Sequence, residues 1–426
     1  MKIGIFTDTY NPVTSGVVTS INMLEQEMKK RGHEVFVFTT SKSIQPNDNQ
    51  TLYMLNSIPL LIAKQYKNRI ATFYSREIAK QIKEIGLDIV HTQTEFSVGA
   101  FGKIISRKYD IPFIHTYHTM WEDYVHYISP LKGRNIRLKR LARTISRAFV
   151  RKAECVITPS NKTAKYLKYK CKVKNKPIYV IPTGIDIAPF KSSNFTEEER
   201  DNLKKSLGIK PNEKIILFLG RVASEKSIDV IMDIMPSIFE EHPDYKFLIV
   251  GDGPSKKDLE EQARKLNIDK NVIFTGKVPW NEVPKYYNIG DVFVNASITE
   301  TQGLTFIEAM SAEIPVVAKY APNLSEFIHT NKNGILVKIN SDFKKAIIDV
   351  IENENLRKTL IRGGNETAKE YSIEVFGDKL EMLYTEIIKL HKAKKELETK
   401  EEKNAQKKTI YKRIREKLKN LTRIKK

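Results

Sequence analysis

The feature that most constrains this chain is a rhythm of short apolar runs separated by helix-patterned stretches, broken once near the middle and then restarted. In the first half the runs are Lys2–Phe6, Val35–Phe38, Asp88–His91, Pro112–Thr116, Val156–Thr158 and Tyr179–Ile181. In the second half they are Ile215–Leu219, Phe247–Val250, Val272–Phe274, Val292–Val294, Pro315–Ala318 and Ile335–Val337. Each run is too short for a helix and nearly all apolar, as strands are when both faces of a parallel sheet are covered. Between the first two, Val18, Ile21, Leu24 and Met28 recur at helical spacing and stop near Gly32. Repeated β–α units of this kind predict an α/β fold with two doubly wound, Rossmann-like domains in tandem. At 426 residues and 41% hydrophobic content the chain is long enough for two cores.

The expected boundaries are a first domain over 1–185, a Ser-, Glu- and Lys-rich linker over 186–213, and a second domain over 214–370. A helix over 371–391 and a basic amphipathic or disordered tail over 392–426 follow. In doubly wound sheets, ligands sit at the carboxyl ends of strands, so the loops there are the ones to read for chemistry. After Ile215–Leu219 comes Gly220-Arg-Val-Ala-Ser-Glu-Lys226, whose Arg221 and Lys226 are placed to neutralise a diphosphate. Further on, Glu300 and Glu308 flank Gly303, and the helix-competent run beginning at Leu304 and Thr305 follows the glycine. A helix N-terminus presents unpaired N–H groups and partial positive charge to a phosphate, and flanking carboxylates accept hydrogen bonds from sugar hydroxyls.

Composition narrows the setting. Cys155 and Cys171 are too few for a disulfide framework or a metal cluster, which fits a reducing compartment. Lys2–Phe6 stops at Thr7 and Asp8, too short for a signal peptide, and no stretch approaches the roughly 20 apolar residues of a spanning helix. The net charge of +21 is concentrated. Residues 131–152 hold nine Lys/Arg and no acid, and residues 407–426 hold ten with one Glu, so each carries +9. In the first, Leu138, Leu141, Ala142, Ile145 and Phe149 share a helical face alongside Arg137, Lys139, Arg140, Arg143 and Arg147. In the second, Ile410, Ile414, Leu418 and Leu421 do. Basic amphipathic helices suit an anionic membrane surface. Nucleic acid is not the expected partner, because zinc-finger, helix-turn-helix and base-stacking signatures are missing from the sequence. Leu55–Ala63 and Lys64–Arg69 offer a further amphipathic surface for acyl chains.

The order and spacing of Gly220–Lys226, Gly251-Asp-Gly-Pro254, Pro182-Thr-Gly-Ile-Asp186 and Glu300–Glu308 resemble the retaining nucleotide-sugar glycosyltransferases of family 4, over most of residues 1–390. That resemblance implies the GT-B fold, with residues 371–391 returning to the first domain. It implies that Arg221 and Lys226 bind the donor diphosphate, that Glu308 holds the ribose, and that Glu300 contacts sugar hydroxyls. Gln302–Thr305 would then complete the pocket, Val278 would meet the base, and His118 of Tyr117-His-Thr119 would contact the donor sugar and its phosphate. Gly16 would let backbone amides face the diphosphate; family members have two adjacent glycines where this chain has Ser15-Gly16. Tyr124 and His126 could line an acceptor channel or serve only the fold.

The resemblance also implies front-face attack without an enzymatic nucleophile, so Glu300 and Glu308 are not a glycosidase pair. No Asp-x-Asp occurs, and the basic pair supplies what a metal would, so neither metal nor cofactor is expected beyond the nucleotide sugar. The Phe6–Pro12 opening, the Tyr117–Tyr124 region and the basic 131–152 segment are similar to bacterial 1,2-diacylglycerol 3-glucosyltransferases, which use UDP-glucose at the inner leaflet. The expected enzyme is therefore a peripheral hexosyltransferase on the cytoplasmic face. Transfer to a glycolipid or to phosphatidylinositol, and an inert binding protein, are the alternatives. No motif bears on oligomeric state.

Overall fold

The computed structural model describes residues 1–13, 15–40, 51–59, 69–124 and 136–423, with side chains omitted at 123–124 and from 399 onward. Two parallel sheets form the body. The first has seven strands in the spatial order Leu52–Met54, Glu34–Thr39, Lys2–Phe6, Ile89–Thr92, Phe113–Thr116, Cys155–Thr158 and Ile178–Val180. The second has six, in the order Val272–Gly276, Tyr245–Val250, Lys214–Leu219, Val292–Asn295, Val316–Lys319 and Ile335–Val337. All pairings within both sheets are parallel. Helices cover both faces, which is why the strands carry apolar residues on both sides; Ile3, Ile5 and Phe6 are all buried.

In each sheet the chain builds outward from one strand and then crosses back to its other side. That reversal places a topological switch point at the carboxyl ends of Lys2–Phe6 and Ile89–Thr92 in the first sheet. In the second it lies at the ends of Lys214–Leu219 and Val292–Asn295. The loops carrying Gly16, Arg221, Lys226, Glu300 and Gly303 leave these strand ends.

Two crossings join the domains and lie side by side. The Ile185 N–H donates to Tyr371 O at 3.0 Å and the Ile373 N–H to Ile185 O at 2.9 Å. Gly184 is required here, because a Cβ would lie 2.5 Å from Phe376 Cβ and 2.7 Å from Ser372 O. The helix Ile373–Arg423 then returns to the first domain. Phe376, Leu380, Leu383, Tyr384 and Ile387 join the core built on Ile3, Ile5, Ile21 and Leu24. Arg31 ties the same helix down by ion pairs to Asp378 at 2.8 Å and Glu381 at 2.9 Å. The helix has 51 residues, so it extends about 75 Å. Residues 392–423, expected as an amphipathic or disordered tail, are its continuation.

Two expectations change. Residues 186–213 are not a free linker: Phe190 and Ile209 are buried in the second core, with Leu203 and Leu207 packed against it. Their helix, Glu197–Ser206, starts from a capping box between Thr196 and Glu199. The amphipathic stretch 55–69 contains instead an antiparallel ribbon pairing Ser57–Pro59 with Arg69–Ala71, its residues 60–68 lying outside the described ones. The amphipathic helix expected within 131–152 forms over Ile136–Val150 and buries only Ser146, Phe149 and Val150. Ile136, Leu141 and Ile145 of its apolar face are 74, 53 and 51% exposed.

Candidate active site

Close backbone packing shapes the loops at the carboxyl ends of the second sheet. A Cβ on Gly251 would stand 1.9 Å from Gly220 O, and one on Gly253 would stand 2.2 Å from Val222 O. The Gly251-Asp-Gly motif therefore works by letting its loop lie directly on the loop that carries Arg221. That loop is also tied to the next one, since Ser297 Oγ donates to Glu225 O at 3.0 Å. Arg221 faces Glu225 at 3.8 Å, and Lys226 Nζ donates to Glu300 Oε1 at 2.5 Å. The structure thus joins Lys226 and Glu300 directly. Both cations already have carboxylate partners, so an arriving diphosphate would exchange one anion for another rather than meet bare charge.

Gly303 has φ +90 and caps the helix Leu304–Ser311 with no side-chain hydrogen bond. Its own Cβ would press on Phe306 and Leu324, so glycine is required on two counts. Leu304 and Thr305 are half-buried on the first turn, and their amides are the open end of the helix. Opposite stands the start of the helix Gly16–Lys30, where Ser15 Oγ accepts from the Val18 N–H at 3.3 Å. A Cβ on Gly16 would meet only Leu304 Cδ1, at 4.0 Å. Two helix N-termini, one from each domain, therefore face each other across the cleft, an arrangement suited to a polyanion.

Glu308 lies one turn deeper, 3% exposed, with Oε2 accepting from Tyr287 Oη at 2.8 Å. Burial pushes its carboxyl up to about 7, against the smaller opposing effect of the tyrosine hydrogen bond. Val278 is half-buried against the second core, just beyond Gly276 at φ +73.

On the facing side, His118 follows the strand Phe113–Thr116, and its Nε2 lies 2.7 Å from Gln93 Oε1. Burial and then the neighbouring His115 push the imidazole down to about 3, so it is neutral at physiological pH. Beside it, Trp121 Nε1 donates to Glu95 Oε2 at 3.1 Å. Of the two acceptor-channel candidates, His126 lies outside the described residues, as does the side chain of Tyr124.

Gln302 was expected to help complete the pocket, but its tie across the domains and several other contacts around the cleft were not. Gln302 gives and takes one hydrogen bond with the Thr183 backbone, both at 2.8 Å, tying the donor loop to the interdomain crossing. Lys162 of the first domain reaches Glu300 O at 3.2 Å. Glu326 of the second accepts from the Asn161 and Lys162 amides at 3.0 and 3.2 Å. Asp8 braces the first switch point, accepting from Thr94 Oγ1 at 2.6 Å and the Val98 N–H at 2.9 Å. Gln302 and Asp8 stood inside recognised motifs; Lys162 and Glu326 carry no local signature.

The basic candidates separate. Arg143 is committed to Glu122 by a hydrogen-bonded ion pair, whereas Arg137, Arg140 and Arg147 are exposed and Lys139 half-exposed. Among the described residues no helix is long and apolar enough to cross a membrane.

Two Rossmann-like domains, each a parallel sheet with its switch-point loops at the cleft, define the GT-B architecture of a glycosyltransferase. Residues 14–188 match the family model for Glycosyltransferase Family 4, and residues 199–367 that for Glycosyl transferases group 1. The chain is 38% identical over 401 residues to the alpha-monoglucosyldiacylglycerol synthase of Streptococcus pneumoniae, covering 93% of this chain and 88% of that one. It is 34% identical over 391 residues to the synthase of the same name from Acholeplasma laidlawii, covering 91% and 98%. The solved structure of Anabaena Alr3699/HepE in complex with UDP superposes with a TM-score of 0.72 at 17% identity, over 91% of this chain and all of that one. The chain belongs to glycosyltransferase family 4.

Proposed function

We propose that this enzyme transfers glucose from UDP-glucose to the free hydroxyl of 1,2-diacylglycerol, giving α-monoglucosyldiacylglycerol with retention, at an anionic membrane surface and without a metal. The observation that carries the reading is that identity to two synthases of that product runs through both domains rather than the nucleotide half alone.

The donor lies in the cleft with its diphosphate between the helix starts at Gly16 and Leu304. Arg221 and Lys226 compensate the charge that builds on the leaving UDP, a fixed electrostatic contribution that needs no reorganisation at the moment of reaction. Lys226 turns from Glu300 to phosphate, and the freed Glu300 accepts from sugar hydroxyls. Glu308 holds the ribose, Val278 borders the base, and His118 closes the sugar's other side. The glycerol oxygen bonds to the anomeric carbon on the face from which the phosphate oxygen leaves, and the glycerol proton passes to that phosphate. The helix Ile136–Val150, with apolar Ile136, Leu141 and Ile145 among exposed arginines, lies on the anionic leaflet.

Radiolabelled UDP-glucose incubated with liposomes containing diacylglycerol, monoglucosyldiacylglycerol and phosphatidylinositol tests the assignment. Label is expected in monoglucosyldiacylglycerol. Label confined to a diglucosyl lipid or to a phosphatidylinositol glycoside would replace the acceptor.

A further inference from the structure

The proposed reaction leaves one buried polar chain beneath the cleft unused. Gln93 directly follows the strand Ile89–Thr92 and is 3% exposed. Its Oε1 lies 2.7 Å from His118 Nε2. Its Nε2 lies 3.3 Å from His91 Nδ1 and 3.2 Å from His91 Nε2. An atom so nearly equidistant from both ring nitrogens sits over the face of the imidazole, because in the ring plane it would collide with the carbon between them. Both in-plane positions of His91 are already taken. Tyr384 Oη bonds Nδ1 at 2.7 Å and Thr116 Oγ1 bonds Nε2 at 2.6 Å. His91 and Tyr384 are fully buried.

This geometry fixes which way the amide faces. An N–H suits the electron-rich face of a neutral ring, and a carbonyl oxygen does not. The amide nitrogen therefore belongs over His91 and the oxygen against His118. An oxygen there can only accept, so His118 must carry its ring proton on Nε2. The neutral imidazole then has Nδ1 as a hydrogen-bond acceptor.

We infer that Gln93 is a positioning residue for His118: anchored on His91, and through it on Tyr384 of the C-terminal helix, it holds His118 as the Nε2-protonated tautomer and leaves Nδ1 to accept from a donor-sugar hydroxyl. The inference rests on the placement of His118 at the donor sugar. It also makes the helix that returns from the second domain part of the site, since the hydroxyl steadying His91 comes from it.

The test is ring nitrogen NMR on the full-length protein labelled with ¹⁵N-histidine, the His118 signals being assigned by their loss in His118→Ala. Wild type is expected to show the Nε2-protonated tautomer alone. In Gln93→Leu a mixture of tautomers is expected, with kcat lowered roughly tenfold, about the worth of one hydrogen bond, and UDP affinity lowered less than kcat. If Gln93→Leu does not fold, Gln93→Met is read the same way. An unchanged His118 tautomer in the apolar variant, whatever its rate, overturns the positioning role. Wild-type turnover in His118→Ala, with the tautomer still shifting in Gln93→Leu, overturns instead the placement of His118 at the sugar.

Discussion

Glu308→Gln should make the unliganded protein more stable and a poorer binder of UDP. The Glu308 carboxyl is displaced from 4.5 to about 7 by burial. Below pH 4.5 it is protonated in folded and unfolded chains alike and costs nothing. Between about 4.5 and 7 the unfolded chain has released the proton while the folded one keeps it, so stability falls as pH rises through this window. Above 7 the full deficit stands, about 3 kcal/mol for a displacement of this size. Glutamine removes the titration and still offers an oxygen to Tyr287 Oη. In urea unfolding the variant should match wild type near pH 4.5 and exceed it by up to about 3 kcal/mol at pH 8. UDP affinity should move the other way: losing a charged acceptor for ribose hydroxyls costs about 1.5–3 kcal/mol, roughly ten- to hundredfold in Kd. Wild-type UDP binding should also tighten from pH 5.5 to 7.5 by more than the variant's, whose remaining trend comes from the second ionisation of the UDP phosphate near pH 6. A stability difference independent of pH would refute the buried-carboxyl reasoning, and unchanged UDP affinity would remove Glu308 from the ribose.

Other expectations concern charge. Arg221→Ala and Lys226→Ala should each lower kcat by about 10²–10³, the usual effect of deleting one electrostatic donor; near-wild-type rates in both would place the diphosphate elsewhere. Activity should survive EDTA, and a loss restored only by Mg²⁺ or Mn²⁺ would contradict a metal-free reaction. Replacing Arg137, Lys139, Arg140 and Arg147 by Ala should weaken liposome binding in proportion to acidic lipid content. Wild-type binding should fall steeply with salt, since exposed charges are screened over about 8–10 Å at physiological ionic strength. Equal binding to neutral and acidic vesicles would leave only apolar insertion.

The sheets were legible because buried parallel strands are written as apolar runs, and Ile215–Leu219 and Phe247–Val250 differ from the observed strands only at their first residues. The edge strand Leu52–Met54 and the ribbon over 57–59 and 69–71 were not, being three residues each and outside the regular β–α alternation. The stretch 186–213 read as a linker because its apolar residues, Ile187, Phe190, Leu203, Leu207 and Ile209 among them, keep no single sustained period among polar ones. In the site, glycines and charges announced themselves because backbone approach and phosphate binding demand those residue types. Gln93, Lys162 and Glu326 did not, since their partners lie far away in sequence; Glu326 meets Asn161 across 165 positions. Helical spacing on 136–150 was visible, but whether that face met protein or solvent is decided by tertiary packing.

The central claim is transfer of glucose to diacylglycerol with its configuration kept, and the anomeric proton of the product tests it most directly. Purified enzyme is given UDP-α-glucose and diacylglycerol in anionic vesicles, and the glucolipid formed is examined by proton NMR. The account predicts a single α-linked glucose on the glycerol hydroxyl, with the small coupling of an equatorial anomeric proton. A β-linked product, or free glucose with no glucolipid at all, would contradict it.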